Sequence, residues 1–340
     1  ELARSMFRRD FLVAALASIA ATACAVENEE DEASATEGAL AKPWTAPLVM
    51  GHRGAPLAEA ENTLPSFDAA LAQGANALEI DVCITGDGHF VLWNDRNPDD
   101  LAAKARQNGL EGLKYVPYVP TADEYADEYI FRRPVDRLTL AEFREHYGYG
   151  KKGWFSTTRD PNAKIPTVPE LAEWARGKAA LKAITFDVKL AQNQGALGRD
   201  LCDVIARVFA GTRIDISLTT PYSHVAVAMQ KHIRERGYKM TMMMTCESGS
   251  ADDALGQASS AGLDGVVMGD TPTVRWSTFI AAVRDVCARR GSARPKLTRV
   301  LATTADDEGE IKALLDAGVD AIVTNKPDVL ARIVRARGNG

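Results

Sequence analysis

Residues 47–54 read Pro47-Leu48-Val49-Met50-Gly51-His52-Arg53-Gly54, an apolar β-like run that breaks at glycine and presents a histidine and an arginine at its far end. A helical pattern follows over 64–73, with Thr63 placed to cap it and Pro65 in its opening turn. A short apolar strand, a polar loop and a helix form one unit, and the rest of the chain reads as copies of it.

Further strand candidates fall at 76–81, 182–188, 214–219, 239–244, 263–268, 298–303 and 320–324. Each is followed by a helical pattern, at 168–177, 196–210, 222–236, 251–261, 273–290, 307–317 and 327–337. Gly318 ends the seventh helix. Strands alternating with helices predict an α/β fold with a parallel sheet, and eight strand–helix units predict a (β/α)8 TIM barrel. The count closes if residues 82–95 form a β-hairpin turning at Gly86-Asp87-Gly88, which sets Asn94 roughly across from Glu79. Residues 96–165 are then a long insertion after strand 2, rich in tyrosine (Tyr115, Tyr118, Tyr125, Tyr129, Tyr147, Tyr149). An insertion of this length in a compact domain is expected to act as a lid or a substrate-selecting element.

The 340 residues are 46% apolar and 25% charged, an ordinary globular composition with room for one large barrel. A net charge of −6 and the lack of a basic run give no electrostatic case for nucleic acid. Residues 1–23 read as a twin-arginine export signal: Arg8-Arg9, a modest apolar stretch, and Ala21-Thr22-Ala23 as a cleavage site. Cys24 follows directly and also fits a lipoprotein box, which would give a membrane tether and a place in the periplasm or cell envelope. Residues 24–45 are acidic and poor in apolar groups, so a disordered tether is expected before a domain at 46–340. Cys83, Cys202, Cys246 and Cys287 match no metal spacing; export permits disulfides, but a core of this size does not require them, and buried free thiols are expected.

TIM-barrel sites form at the C-terminal ends of the strands. The first strand delivers His52 there, the second Glu79 and Asp81, the third Asp187 and Lys189. Glu79 and Asp81 are two apart and share one face of an extended strand. Carboxylates converging in a barrel mouth repel one another, and oxygen-only ligands of this kind suit a hard divalent cation, Mg²⁺ or Ca²⁺.

Gly51-His52-Arg53-Gly54, Glu61-Asn62-Thr63, Glu79-Ile80-Asp81 and Asp187-Val188-Lys189, in that order, resemble the glycerophosphodiester phosphodiesterase family. The resemblance covers the whole barrel and is densest in its first half. It implies hydrolysis of a small-molecule glycerophosphodiester to an alcohol and glycerol 3-phosphate, a glycerol hydroxyl attacking phosphorus first and water opening the cyclic intermediate. By matching position, Glu79, Asp81 and Asp187 would hold the metal with Glu61 nearby, Arg53 and Lys189 would neutralise phosphate oxygens, and His52 would be half of an acid–base pair.

The chain departs from the family at several positions. Asp187 stands where glutamate is usual, Ala302-Thr303-Thr304 lacks the family's tryptophan, and Thr324-Asn325-Lys326-Pro327 is a version of a closing Thr-Asp-x-Pro. The family's second catalytic histidine is Asn94, whose amide can hydrogen-bond a leaving oxygen but cannot protonate it. His89 lies near the hairpin tip, too far along the strand to replace it. His224, in the loop after strand four, is the substitute on the correct face of the barrel; His146 is a second, and His232 is expected on the outside. Two alternatives to the phosphodiesterase follow: an impaired barrel that binds phosphodiesters or an envelope partner, and a lysophospholipid or sphingolipid phosphodiesterase.

Overall fold

A computed structural model of the chain describes residue 44, residues 46–153 and residues 157–338. The expected leader and the tether up to residue 43 lie outside the described residues. Eight parallel strands close into a barrel: β1 (Leu48–His52), β2 (Ala77–Ile84), β7 (Ala183–Val188), β8 (Asp215–Thr220), β9 (Met240–Cys246), β10 (Gly265–Gly269), β11 (Arg299–Thr303) and β12 (Ala321–Thr324). Their order around the sheet is β1-β12-β11-β10-β9-β8-β7-β2, and β1 pairs with β2 to close the ring. The eight barrel helices are α1 (Leu64–Ala72), α4 (Val168–Arg176), α5 (Gly195–Val208), α6 (Ser223–Arg236), α7 (Ala251–Ser260), α8 (Trp276–Arg289), α9 (Glu308–Ala317) and α10 (Pro327–Gly338). All lie within a few residues of the expected spans. Thr63 accepts from Ser66 N at the start of α1, Thr167 and Glu170 form a capping box on α4, and Gly318 ends α9 at φ 86°.

Alternate strand residues fill the lumen, among them Met50, Ala77, Met243, Val267, Leu301 and Val323, while a larger apolar cluster packs the strands against the helices. The barrel floor is plugged by Trp44, which composition alone assigns to the tether. Its ring lies 4.2 Å from the Arg299 guanidinium, and both donate to Asp215 Oδ2, Trp44 Nε1 at 2.9 Å and Arg299 Nη2 at 2.8 Å. The fully buried Arg299 is therefore paired and stacked.

β2 runs past the rim and folds back antiparallel on β3 (Phe90–Leu92), as the hairpin reading expects. The register Val82↔Leu92 corrects one detail: extended by two residues it sets Asn94 opposite Ile80 rather than Glu79. The insertion has a fold that its sequence did not disclose. Helix α2 (Leu101–Gln107), strand β4 (Val116–Tyr118), helix α3 (Leu140–His146), β5 (Gly148–Lys152) and β6 (Thr157–Arg159) form a unit around a three-stranded antiparallel sheet, β4-β5-β6. Its core joins Trp93 of the hairpin to Tyr115, Phe143, Tyr147 and Tyr149, so half of the six tyrosines are buried packing groups. Tyr125 and Tyr129 are exposed. Cys83, Cys202 and Cys246 are buried free thiols, and Cys287 is a half-buried one.

Candidate active site at the barrel mouth

At the end of β1 the chain turns through Arg53 at φ 53° and Gly54 at φ 93°, and Asn62 returns it at φ 55°. A Cβ at Gly54 would collide with Ser66, so glycine is required there. Left-handed arginine and asparagine are strained, and a dense set of bonds holds them: Arg53 N donates to Glu79 O at 2.9 Å, while Arg53 O accepts from Asn62 N at 2.9 Å and Ser66 Oγ at 3.0 Å. The loop that carries His52 is thereby tied to the strand that carries Glu79 and Asp81.

Asp81 and Asp187 are register partners on β2 and β7, and one carboxylate oxygen from each of Glu79, Asp81 and Asp187 lies within 4.8 Å of the others. Lys189 Nζ sits 2.6 Å from Asp187 Oδ2 and 3.2 Å from Asp81 Oδ1. Asp81 Oδ2 accepts from Asn62 Nδ2 at 2.8 Å and lies 2.8 Å from Arg53 Nε. Burial, with Asp81 and Asp187 beside it, pushes the Glu79 carboxyl well above the usual range. Burial also opposes charge on Asp81, but Arg53, Lys189 and the Asn62 hydrogen bond outweigh it and hold the carboxylate below its ordinary value. Asp187 Oδ1 is buried without a hydrogen-bond partner among the described residues. An all-oxygen donor set, crowded negative charge and an orphaned carboxylate oxygen fit a hard divalent cation.

His52 Nδ1 lies 2.8 Å from Asn325 Oδ1. Asn325 in turn donates from Nδ2 to Asp306 Oδ2 at 2.8 Å and from its backbone N to Asp306 Oδ1 at 2.7 Å. The other ring nitrogen, Nε2, points to the carboxylates, 4.0 Å from Glu79 Oε2. Burial and the Arg53 charge lower the His52 pKa below the ordinary histidine value, favouring the neutral imidazole that can accept a proton.

The remaining predicted groups take other positions. Glu61 is not part of the three-carboxylate group: Arg53 Nη1 holds its Oε2 at 2.8 Å, and Arg106 Nη2 donates to Oε1. Arg53 is committed to Asp81 and Glu61, with Glu111 at 3.7 Å. Asn94 Nδ2 donates to Asp95 Oδ1 at 2.8 Å, and Asp95 is bound by Arg106 Nε at 3.0 Å. His224 is an exposed residue in the first turn of α6, not in a loop, and its side chain makes no hydrogen bond or ion pair among the described residues. His146 stacks on Phe131 inside the insertion with centroids 3.7 Å apart, His89 lies 3.3 Å from Asp87, and His232 pairs with Asp203 on the helix layer.

Four residues at the mouth were not singled out from the sequence as site groups: Arg106 and Glu111 of the insertion, Asp306 behind Asn325, and Glu247 just past β9. Glu247 alone carried a usable signal, because a carboxylate at the C-terminal end of a barrel strand is a site candidate by position.

A family model described as the Glycerophosphoryl diester phosphodiesterase family matches residues 52–329. The probable glycerophosphodiester phosphodiesterase 1 of Mycobacterium tuberculosis is 49% identical over 59 residues, a segment spanning 17% of this chain and 22% of that relative. The glycerophosphodiester phosphodiesterase of Caldanaerobacter subterraneus subsp. tengcongensis is 24% identical over 292 residues, covering 86% of this chain and 99% of the relative. An Oleispira antarctica phosphodiesterase, solved with the product sn-glycerol-3-phosphate, superposes with a TM-score of 0.59 at 17% identity over 85% of this chain and 97% of that one. At that identity the superposition speaks for the fold.

Proposed function

The chain belongs to the glycerophosphoryl diester phosphodiesterase family, and from that membership and the geometry of its barrel mouth we propose that it hydrolyses glycerophosphodiesters to an alcohol and glycerol 3-phosphate with a divalent cation bound. The observation that carries this reading is the convergence of Glu79, Asp81 and Asp187 within 4.8 Å, with Lys189 against two of them and His52 beside the third. A cation held by the three carboxylates supplies electrostatic stabilisation to the phosphate oxygens.

The chain's own residues do the rest. His52 Nε2 takes the proton of the attacking hydroxyl, its Nδ1 held by Asn325. Lys189, kept charged by Asp187 and Asp81 against the cost of burial, offers its ammonium to the phosphate oxygens. Arg53 is bound to the carboxylates, so it shapes the site and reaches substrate only by exchanging one of those partners. Asn94 offers hydrogen bonds and no proton.

Export is part of the same proposal, supported by Arg8-Arg9 and by Cys24 after an Ala-x-Ala site. Among the described residues no helix is long and apolar enough to cross a membrane. The substrate class is tested by comparing turnover of glycerophosphocholine, glycerophosphoethanolamine and lysophosphatidylcholine. Preference for the two water-soluble diesters supports the reading, and turnover of the lysophospholipid alone replaces it with the lipid phosphodiesterase.

A further inference from the structure

With Asn94 in place of a titratable group, the His52 side of the mouth holds a base and no acid for the leaving alcohol. The barrel supplies a carboxyl on its opposite wall. Strand β9 lies directly across the ring from β1: β2, β7 and β8 separate them on one side, and β12, β11 and β10 on the other. The inward-facing series of β9 runs through Met243 in the lumen and Thr245, whose Oγ1 is 2.7 Å from that of Thr219. Continued by two residues, the same alternation brings Glu247 over the mouth. Its side chain lies along the end of β10. A Cβ built on Gly269 would be 3.0 Å from Glu247 Cγ and 3.8 Å from Oε1, so the absence of a side chain at Gly269 leaves the room it occupies.

We propose that Glu247 is the general acid of this enzyme, protonating the leaving alcohol from the wall opposite His52. The proposal rests on the phosphodiesterase reading given above. Displacement at phosphorus runs in line, with the attacking and leaving oxygens on opposite sides. A base on β1 and an acid on β9 match that axis. Atoms balance: the attacking hydroxyl gives its proton to His52 Nε2 as its oxygen bonds phosphorus, the bond from phosphorus to the leaving oxygen breaks, and that oxygen takes the Glu247 proton. The glutamate left behind is a carboxylate facing the water that completes the reaction.

The surroundings of Glu247 agree with this role. Among the described residues its carboxylate makes no hydrogen bond or ion pair, unlike those of Glu79, Asp81 and Asp187, which are bonded or paired. Glu247 is exposed at the rim, open to substrate and solvent, and partial desolvation there shifts its carboxyl upward against the opposing pull of Lys189.

A general acid matters in proportion to how poorly the leaving group leaves, which separates catalysis from structure. The experiment compares the full chain with Glu247→Gln on glycerophosphocholine, whose alkoxide leaves badly, and on the p-nitrophenyl ester of glycerol phosphate, whose phenolate leaves unaided. The expected result is a kcat loss of about 10²–10⁴-fold on the choline ester and a change within about threefold on the nitrophenyl ester. Turnover of the nitrophenyl ester also shows that the variant is folded. Equal losses on both esters, or no loss on either, would overturn the assignment of Glu247 and leave the phosphodiesterase reading intact. A parent chain inactive on both esters would overturn that reading and this inference with it.

Discussion

His52 Nδ1 and Asn325 Oδ1 face each other at 2.8 Å across the seam between β1 and β12. Which way an amide points is read from its partners. Asp306 accepts from Asn325 Nδ2, so Oδ1 is the atom left for the ring, and Nδ1 must carry the proton. Nε2 is thereby the basic nitrogen. Replacing Asn325 with alanine is expected to lower kcat by about 10–100-fold, the usual cost of losing a partner that orients a site histidine, with KM little changed. The exchanged pair Asn325→Asp with Asp306→Asn keeps an acceptor for the ring and a donor behind it, and is expected to keep most of the activity. An unchanged kcat in Asn325→Ala would contradict this role.

The three carboxylates predict that the metal stabilises the fold. A ligand bound only by the native state adds about 2.7 kcal/mol at a hundredfold excess over its Kd. Thermal unfolding should therefore move upward with Mg²⁺ or Ca²⁺ and return with chelator. Asp187→Asn should abolish most of the shift, because it removes the charge of a carboxylate that has a free buried oxygen. A metal-independent Tm in the parent chain would contradict the assignment.

Arg106 ties the insertion to the barrel. Its side chain is 5% exposed and is shared by Glu61, Asp95 and Glu111. Arg106→Met leaves the buried Asp95 without its cation and Glu61 with Arg53 alone, and is expected to destabilise the protein by about 3–5 kcal/mol in denaturant unfolding, the range for breaking a buried ion pair. A loss below about 1 kcal/mol would show that the network is dispensable.

Glu111 gives the anchor a pH dependence. Burial disfavours its charge, but Arg106 and Arg53 outweigh burial and hold its pKa below the ordinary glutamate value. A carboxyl depressed in the folded state contributes stability that is present above its unfolded pKa and lost as pH falls through the folded one. Limited proteolysis within residues 96–165 should therefore accelerate below about pH 4, and Glu111→Gln should be cleaved faster at neutral pH with less further increase in acid. Equal rates for the two chains at neutral pH would contradict the anchor.

The barrel was legible because each strand is a short apolar run between punctuated helices, and the parity of Glu79 and Asp81 set them on one face. Other features required coordinates. Arg106 lies on a seven-residue helix within an insertion whose sequence has no period to read, and its contact with Glu61 spans 45 positions. The Asp306–Asn325–His52 chain joins two ends of the molecule, and only closure of β12 on β1 brings them together. Trp44 sits in an acidic stretch whose composition hides one anchoring ring. His224 misled because position after a strand says which face a residue is on, not whether its side chain turns inward; the first turn of α6 leaves it exposed.

The most direct measurement is release of glycerol 3-phosphate from glycerophosphocholine by the chain and by His52→Ala, each with Mg²⁺, with Ca²⁺ and with chelator. The account predicts turnover that needs a divalent cation and falls by about 10²–10⁴-fold in His52→Ala. Absence of turnover in the parent chain under every condition, or turnover indifferent to both chelator and His52→Ala, would contradict it.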